Sequence, residues 1–208
     1  MANLDSILIV GCGNMGGAML AGWLAGGLAP SRFTVLDPML AEAPARRFDA
    51  ILLGVKPQLL GDVAPRLARL AGEGTVLLSI LAGVELASLA ARFPQAGGLV
   101  RIMPNLAAAI GKSPVALFAQ GLDAAGQAAV AALMQPLGRT EWLAEEAQFD
   151  LVTALAGSGP AFVYRFIDAL AEGAATLGLP RDQADRLALA TVEGAAALAA
   201  ASPHGPGE

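Results

Sequence analysis

Apolar positions fall in short unbroken runs along the first half of the chain and at helical spacing along the second. Ser6-Ile-Leu-Ile-Val10 is continuously apolar and rich in β-branched residues, which predicts a strand buried on both faces. Asn14 to Leu28 predicts a helix, ended by Gly26-Gly27 and Pro30. Phe33–Leu36 reads as a second strand and Asp49–Val55 as a third, stopped by Lys56-Pro57. Leu59 to Leu70 has helical spacing, and Thr75–Ser79 and Leu99–Met103 read as further strands. Strands alternating with helices predict βαβ units and a parallel sheet. The character changes near residue 122: Asp123–Leu137 is helical, Arg139–Leu143 is a last strand, and from Phe149 to Ala201 only helical periodicity remains. That stretch is broken at Gly157-Ser-Gly-Pro160 and at Gly178-Leu-Pro180, and Ser202 to Glu208 reads as a loop. The expectation is an α/β chain in two parts: a parallel-sheet domain over residues 1–147 and an all-α domain over 148–208.

Composition narrows the function classes. Of 208 residues, 55% are apolar and 15% charged, which excludes intrinsic disorder. Alanine, at 46 residues, accounts for much of the excess and favours helix. The net charge is −5, with 11 Arg, only Lys56 and Lys112 as lysines, and no basic run, so nucleic acid is not an expected partner. A single cysteine, Cys12, and a single histidine, His204, leave no material for a disulfide framework, a His/Cys metal site or a Ser/His/Asp triad. Ser6 to Ser31 is uncharged and long enough to span a bilayer. However, Asn14 and seven glycines interrupt it, and Asp5 precedes it where a signal peptide would be positive, so a buried strand and a Gly-rich helix are expected instead. With one cysteine and no signal peptide, a reducing, cytoplasmic location is expected.

The residues that point to chemistry are Gly11-Cys12-Gly13-Asn14-Met15-Gly16, a G-x-G-x-x-G pattern directly after a predicted strand and opening a predicted helix. Gly11 permits a tight turn, Gly13 lets backbone approach a pyrophosphate, and Gly16 lets helix and strand pack closely. The helix N-terminus offers free N–H groups to the phosphates, so a Rossmann-type dinucleotide site is expected. Asp37 ends the second strand, 21 residues after Gly16. A carboxylate there accepts hydrogen bonds from both ribose hydroxyls and repels a 2′-phosphate, which favours NADH over NADPH, unless Asp37 is simply the turn residue before Pro38. Cys12 reads as a small residue of the loop rather than a reactive thiol. Lys56, at the carboxyl end of a strand, can meet a phosphate or ribose. Pro160 suits a first helical turn, with Ser158 or Gly159 as its cap, and such an N-terminus can also hold a carboxylate. Trp23 and Trp142 are expected in the core or at an interface, and His204 in a solvated tail.

Further blocks extend the picture: Val55-Lys-Pro-Gln58, Ser79-Ile-Leu-Ala-Gly-Val84, Val100-Arg-Ile-Met-Pro-Asn105 and Thr153-Ala-Leu-Ala-Gly-Ser-Gly-Pro-Ala161. In this order, with the glycine loop, they resemble the pyrroline-5-carboxylate reductase family over nearly the whole chain. The resemblance implies a Rossmann domain followed by helices that interlock into a homodimer, and in several members a decamer. It also implies hydride transfer from NADPH or NADH to the C=N carbon of pyrroline-5-carboxylate, giving proline. A protonated imine is already electrophilic, so positioning rather than a strong protein acid is expected to carry the reaction. Carried over by position, Gly11 to Gly16 would hold the pyrophosphate. Gly54, Val55, Lys56 and Pro57, with Ile80, Leu81 and Ala82, would line the cofactor. Met103, Pro104 and Asn105 would lie near the nicotinamide, and Thr153 and Ser158 would border the substrate.

Three departures from the family pattern stand out. Only ten residues, Met39 to Phe48, separate the Asp37-Pro38 pair from the strand at Asp49, where the family fits a helix, a strand and a further helical segment. Asn105-Leu-Ala-Ala108 replaces the family's N-T-P-A, which leaves the local turn open. The family's S-P-G-G-T-T block, which contacts substrate in relatives, would follow Glu208. The expectation is therefore that further residues belong at the first and third places, and that the chain without them binds cofactor better than it turns over. Two other readings compete. A β-hydroxyacid dehydrogenase would share the plan but needs a lysine in its helical part, and residues 149–208 have none. A non-catalytic NAD(P)-binding protein would bind cofactor without consuming it.

Overall fold

A computed structural model describes residues 4–37, 44–205 and 207. Contacts divide the chain into two compact units, residues 1–157 and 158–208.

The first unit is built on a seven-stranded sheet. Its elements are β1 (Ile7–Val10), α1 (Asn14–Ala25), β2 (Phe33–Leu36), β3 (Ala50–Leu53), α2 (Leu60–Leu67), β4 (Val76–Ser79), α3 (Leu86–Arg92), β5 (Gly98–Met103), β6 (Ser113–Gln120), α4 (Ala124–Met134), β7 (Gly138–Trp142) and α5 (Phe149–Val152). The strand order is β2-β1-β3-β4-β5-β6-β7. The first five strands are mutually parallel, and every residue of β1, β3 and β4 is buried, as unbroken apolar runs require when helices cover both faces. Alternation sorts their side chains into two cores. Leu8, Val10, Ile51, Leu53 and Leu77 join Val63 and Leu67 of α2 on one face. Ile7, Ile9, Leu52 and Leu78 join Met19 and Trp23 of α1 and Val130 of α4 on the other. Trp23 stacks on Phe33 with centroids 5.2 Å apart, and its indole N–H donates to the Leu133 carbonyl at 2.7 Å. Trp142, by contrast, is only half-buried.

The structure corrects the sequence reading at several elements. The sheet is not wholly parallel: β6 runs antiparallel to β5 and parallel to β7. Neither β6 nor α3 was expected. Pro114 and the small residues of Ser-Pro-Val-Ala hide β6, since proline has no N–H to donate to a ladder. The helix opened by Asn14 ends at Ala25, one turn early. The stretch 57–70 is not one helix but α2 flanked by short 3-10 turns, with Pro65 inside it. Of Met39 to Phe48, where the family resemblance led to the expectation of further residues, Met39–Ala43 lie outside the described residues, as does Pro38. Of that stretch, Phe48 is buried in the core beside Ile51 and Leu77.

The second unit is a helical hairpin of α6 (Gly159–Thr176) and α7 (Arg181–Ala201). Its small core is Ala171, Ala184 and Ala188. Arg181 donates to Asp185 at 2.8 Å and to Asp168 at 2.9 Å, linking the two helices, and these bonds raise its pKa. The pairs are solvent-exposed and contribute little net stability. Ser158 precedes α6 but makes no side-chain capping bond, and its own backbone is helical, so the expected side-chain cap is not there. Instead the break read at Gly157 is preceded by a π-helical turn, Thr153–Gly157. Among the described residues no helix is long and apolar enough to cross a membrane.

Candidate functional site: a cleft at the switch point of the sheet

The chain winds from β1 outward to β2 and then crosses back to β3, so β1 is flanked by both. At such a reversal the loops after adjacent strands diverge and leave a crevice at the carboxyl ends of the strands. A cleft of about 920 Å³ opens there, lined by Gly11, Cys12 and Gly13 after β1, Val35 and Asp37 from the β2 end, and Gly54, Val55, Lys56, Gln58 and Leu59 after β3.

Glycine is needed in this cleft for definite reasons. Gly11 has φ +83°, a left-handed conformation that L side chains rarely adopt, and its N–H donates to Leu36 O at 2.9 Å. A Cβ on Gly16 would stand 2.7 Å from Gly11 O, and one on Gly54 would stand 2.6 Å from the same oxygen. The three backbones are therefore in contact. Gly13 differs: its backbone is extended (φ −74°, ψ −158°), and a Cβ there would meet nothing within 4 Å. It is the N-cap of α1 and brings no side-chain cap, and the first turn contains no acidic residue. The first N–H groups of the twelve-residue helix thus receive no side-chain cap, and the positive end of the helix dipole lies beside the glycine loop. A cradle without Cβ atoms, an uncapped helix end and a carboxylate at the end of β2 fit a dinucleotide.

The structure brings Gly11, Cys12, Gly13, Asp37, Gly54, Val55 and Lys56 together in the cleft. Asn14, Met15 and Gly16 form the first turn of α1, and Pro57 opens the 3-10 turn beside Lys56. Ile80, Leu81 and Ala82 follow β4, and the Ile80 Cδ1 lies 3.6 Å from where a Gly54 Cβ would stand. Met103, Pro104 and Asn105 continue β5. Thr153 sits in the π turn with its hydroxyl donating to Phe149 O at 2.7 Å, and Ser158 begins the second unit. Sequence reasoning missed Val35, Gln58 and Leu59 as lining residues. Val35, an apolar residue left 49% exposed on its strand, shows no signal in sequence, whereas Gln58 stands inside a block the resemblance already marked.

Arg101 was also assigned no role. It is buried at 8% exposure, donates to Glu146 Oε1 at 2.8 Å and stacks 4.4 Å over the Phe149 ring. The same Glu146 oxygen accepts the Leu86 N–H at 2.7 Å, so the charge pair also anchors the start of α3. A charge inside the apolar run Leu-Val-Arg-Ile-Met was the available signal.

Cys12 is exposed, yet its loop partly desolvates the sulfur and pushes the thiol pKa up. A raised pKa keeps the thiol protonated at neutral pH, and the thiolate appears only as pH climbs past the ordinary thiol range. Alkylation of this single cysteine is expected to be slow at neutral pH, to quicken about tenfold per pH unit on the alkaline side, and to be suppressed by saturating cofactor. Mass-spectrometric labelling rates with and without NADPH check this. Equal rates in both would place Cys12 outside the cofactor's footprint.

A mostly parallel α/β sheet whose switch point opens on a glycine-built, uncapped helix end defines a Rossmann-type, dinucleotide-binding protein. Residues 146–208 match the family model for pyrroline-5-carboxylate reductase dimerisation. The chain is 34% identical over 221 residues to the pyrroline-5-carboxylate reductase of Pseudomonas aeruginosa, covering 97% of this chain and 81% of the relative. It is 39% identical over 165 residues to the enzyme of Glycine max, covering 78% of this chain and 59% of the relative. Among solved structures, a pyrroline-5-carboxylate reductase from Coxiella burnetii superposes with a TM-score of 0.85 at 27% identity, over 97% of this chain and 82% of the other. The Plasmodium falciparum pyrroline carboxylate reductase, solved with NADP bound, shares the fold with a TM-score of 0.81 at 23% identity, over 99% and 82%. The chain belongs to the pyrroline-5-carboxylate reductase family.

Proposed function

We propose that this chain reduces 1-pyrroline-5-carboxylate to L-proline, the last step of proline biosynthesis, with NADPH or NADH. The observation that carries this reading is a dinucleotide-shaped cleft in a chain that aligns over 97% of its length with a reductase of that name. Bound in the cleft, the reduced nicotinamide would supply the hydride that converts the ring CH=N carbon to CH2, with a proton retained on nitrogen. The loop Gly11–Gly16 and the α1 N-terminus hold the pyrophosphate, and Asp37 takes the adenosine ribose. Gly54 to Pro57 and Ile80 to Ala82 line the path to Met103, Pro104 and Asn105 near the nicotinamide. Thr153 and Ser158 are the residues proposed to border the substrate. No side chain need act as a strong acid, because the imine is protonated before it reacts; the residues bind and orient.

The helical unit supports a homodimer. It belongs to the segment that matches the dimerisation family, and it leaves Phe162, Tyr164, Phe166 and Leu189 exposed on α6 and α7. Assembly of such dimers into a decamer follows the family resemblance. Cytoplasmic conditions suit a chain with a single, exposed cysteine. The relatives named above are pyrroline-5-carboxylate reductases, which favours this reading over a β-hydroxyacid dehydrogenase.

The test is pyrroline-5-carboxylate-dependent oxidation of NADH and NADPH, side by side, on the purified protein. Binding without oxidation would favour the non-catalytic reading. Asp37 is expected to keep NADH at least competitive, and Asp37→Ser to shift the ratio of kcat/KM values toward NADPH by at least about tenfold, since it removes both the ribose acceptor and the charge that repels a 2′-phosphate. A strong NADPH preference unchanged by Asp37→Ser would remove Asp37 as the discriminator.

A further inference from the structure

Alternate residues of a strand share a face, and the chain stays extended beyond β5, with Asn105 at φ −127° and ψ 179°. Arg101, Met103 and Asn105 therefore follow one another along one side, and all three meet the segment 146–157. Arg101 engages Glu146 and Phe149 as described. The Met103 Cε lies 3.0 Å from where a Cβ on Gly157 would stand. Asn105 Nδ2 donates to the Ala156 carbonyl at 3.0 Å. That carbonyl belongs to the π-helical turn Thr153–Gly157. Such turns are rare, and they recur where function needs a helix opened locally.

Asn105 is built into its place from three sides. Its N–H donates to Ser113 Oγ at 2.9 Å, its Oδ1 accepts the Ala107 N–H at 3.0 Å and caps the 3-10 turn Leu106–Ile110, and its Nδ2 reaches the π turn. The residue is 9% exposed, and both polar atoms of its amide have partners within the chain. Only a side chain that presents an acceptor and a donor from one planar group makes both bonds. Aspartate keeps the acceptor but turns a second oxygen toward the Ala156 carbonyl.

We propose that Asn105 is a positioning residue for the reduction described above: its amide ties the Thr153–Gly157 π turn to the carboxyl end of β5, fixing Thr153 and Met103 relative to one another. Asn105 lies in the stretch assigned beside the nicotinamide, but both polar atoms of its side chain are engaged within the chain, so the amide acts through Ala156 rather than by a hydrogen bond to substrate or cofactor. The proposal rests on the assigned reaction, but the tie itself can be read without turnover.

The experiment compares Asn105→Asp, Asn105→Ser and Ser113→Ala with the wild type. Asn105→Ser keeps a capping hydroxyl too short to reach Ala156, and carries the test should Asn105→Asp fold poorly. Ser113→Ala removes a partner of the same residue without touching the π turn. Four quantities are measured: the NADPH dissociation constant by cofactor fluorescence, kcat and KM for pyrroline-5-carboxylate, Tm, and amide hydrogen exchange across 153–157. For the Asn105 variants, NADPH binding is expected to stay within about threefold while kcat/KM falls at least about 30-fold, the scale on which small displacements of positioned groups act. Exchange across 153–157 is expected to rise at least about tenfold as the turn opens locally. Ser113→Ala is expected to lower Tm while leaving kcat/KM within about threefold, since it loosens the core but not the tie. Unchanged exchange at 153–157 in the Asn105 variants overturns the proposal, whatever happens to turnover. So does a fall in kcat/KM matched by Ser113→Ala. If the wild type itself shows no substrate-dependent oxidation, the assigned reaction has failed, and the exchange data still decide whether the tie exists.

Discussion

Gly13→Ala is expected to leave the fold intact and to weaken NADH and NADPH binding by about 100-fold or more. The two effects separate because the position is constrained by the ligand and not by the chain. Its backbone is extended and open to any residue, and a Cβ would meet nothing within 4 Å. Replacing glycine at a compatible position gains about 0.4–1 kcal/mol through the unfolded state, while alanine is a poorer N-cap by a similar amount. The net change in Tm should stay within about 4 °C for a chain of this size. The methyl group, however, stands where a pyrophosphate must approach the α1 N–H groups. Losing about two charge-assisted hydrogen bonds at roughly 1.5 kcal/mol each corresponds to about 100-fold in affinity. Calorimetric titration with both cofactors, alongside thermal unfolding by circular dichroism, checks both halves. Retained affinity would move the phosphates away from this loop.

Gly22→Ala is expected to have the opposite profile. On helix propensity alone it should stabilise α1 by about 1 kcal/mol. In the fold, a Cβ there would fall within the carbonyl oxygen of Ala108 and 2.9 Å from Leu137 Cδ2. The Ala108 oxygen is backbone, in the turn that Asn105 caps, and cannot swing aside as a side chain would. Overpacking of this kind costs about 1–3 kcal/mol and more when backbone must move, so a net loss of about 3 kcal/mol is expected. That lowers Tm by roughly 6–12 °C. Gly17→Ala is the control on the same helix: its Cβ would meet only Cys12 O, at 3.8 Å, and the substitution should be neutral or stabilising. Equal Tm values for the two variants would contradict the close approach of α1 to the 106–110 turn.

The legible parts of the fold are those whose burial is written in composition. β1, β3 and β4 are covered on both faces, so β1 and β3 are unbroken apolar runs and β4 is apolar up to its last residue, Ser79. The glycine loop was legible because Gly11 and Gly16 answer local backbone requirements, while Gly13 leaves open the space beside the helix start. β6 was not legible, because Ser113, Pro114 and two alanines carry little strand preference and its place comes from pairing with β5 and β7. The face that α1 buries was equally hidden, since alanine, glycine and leucine leave it apolar on all sides. The π turn could not be read from spacing. Gly157 and Pro160 announce an interruption, but the wider turn before them depends on Asn105, 51 residues upstream. The cap made by Asn105 did have a signal: asparagine before a Leu-Ala-Ala run is a preferred N-cap. Within the site, Asp37 and Lys56 were reachable because strand ends predict where ligands bind. Val35 and Leu59 were not, because only the shape of the cleft brings them in.

The most direct measurement is the fate of the hydride. The purified protein is mixed with pyrroline-5-carboxylate and NADPH or NADH carrying deuterium at nicotinamide C4 on the transferred face, and the product is read by mass spectrometry. The account predicts proline with one deuterium on the ring carbon that was the C=N carbon, formed in step with cofactor oxidation. Cofactor that binds in the cleft but remains reduced in the presence of substrate, with no labelled proline, would contradict it.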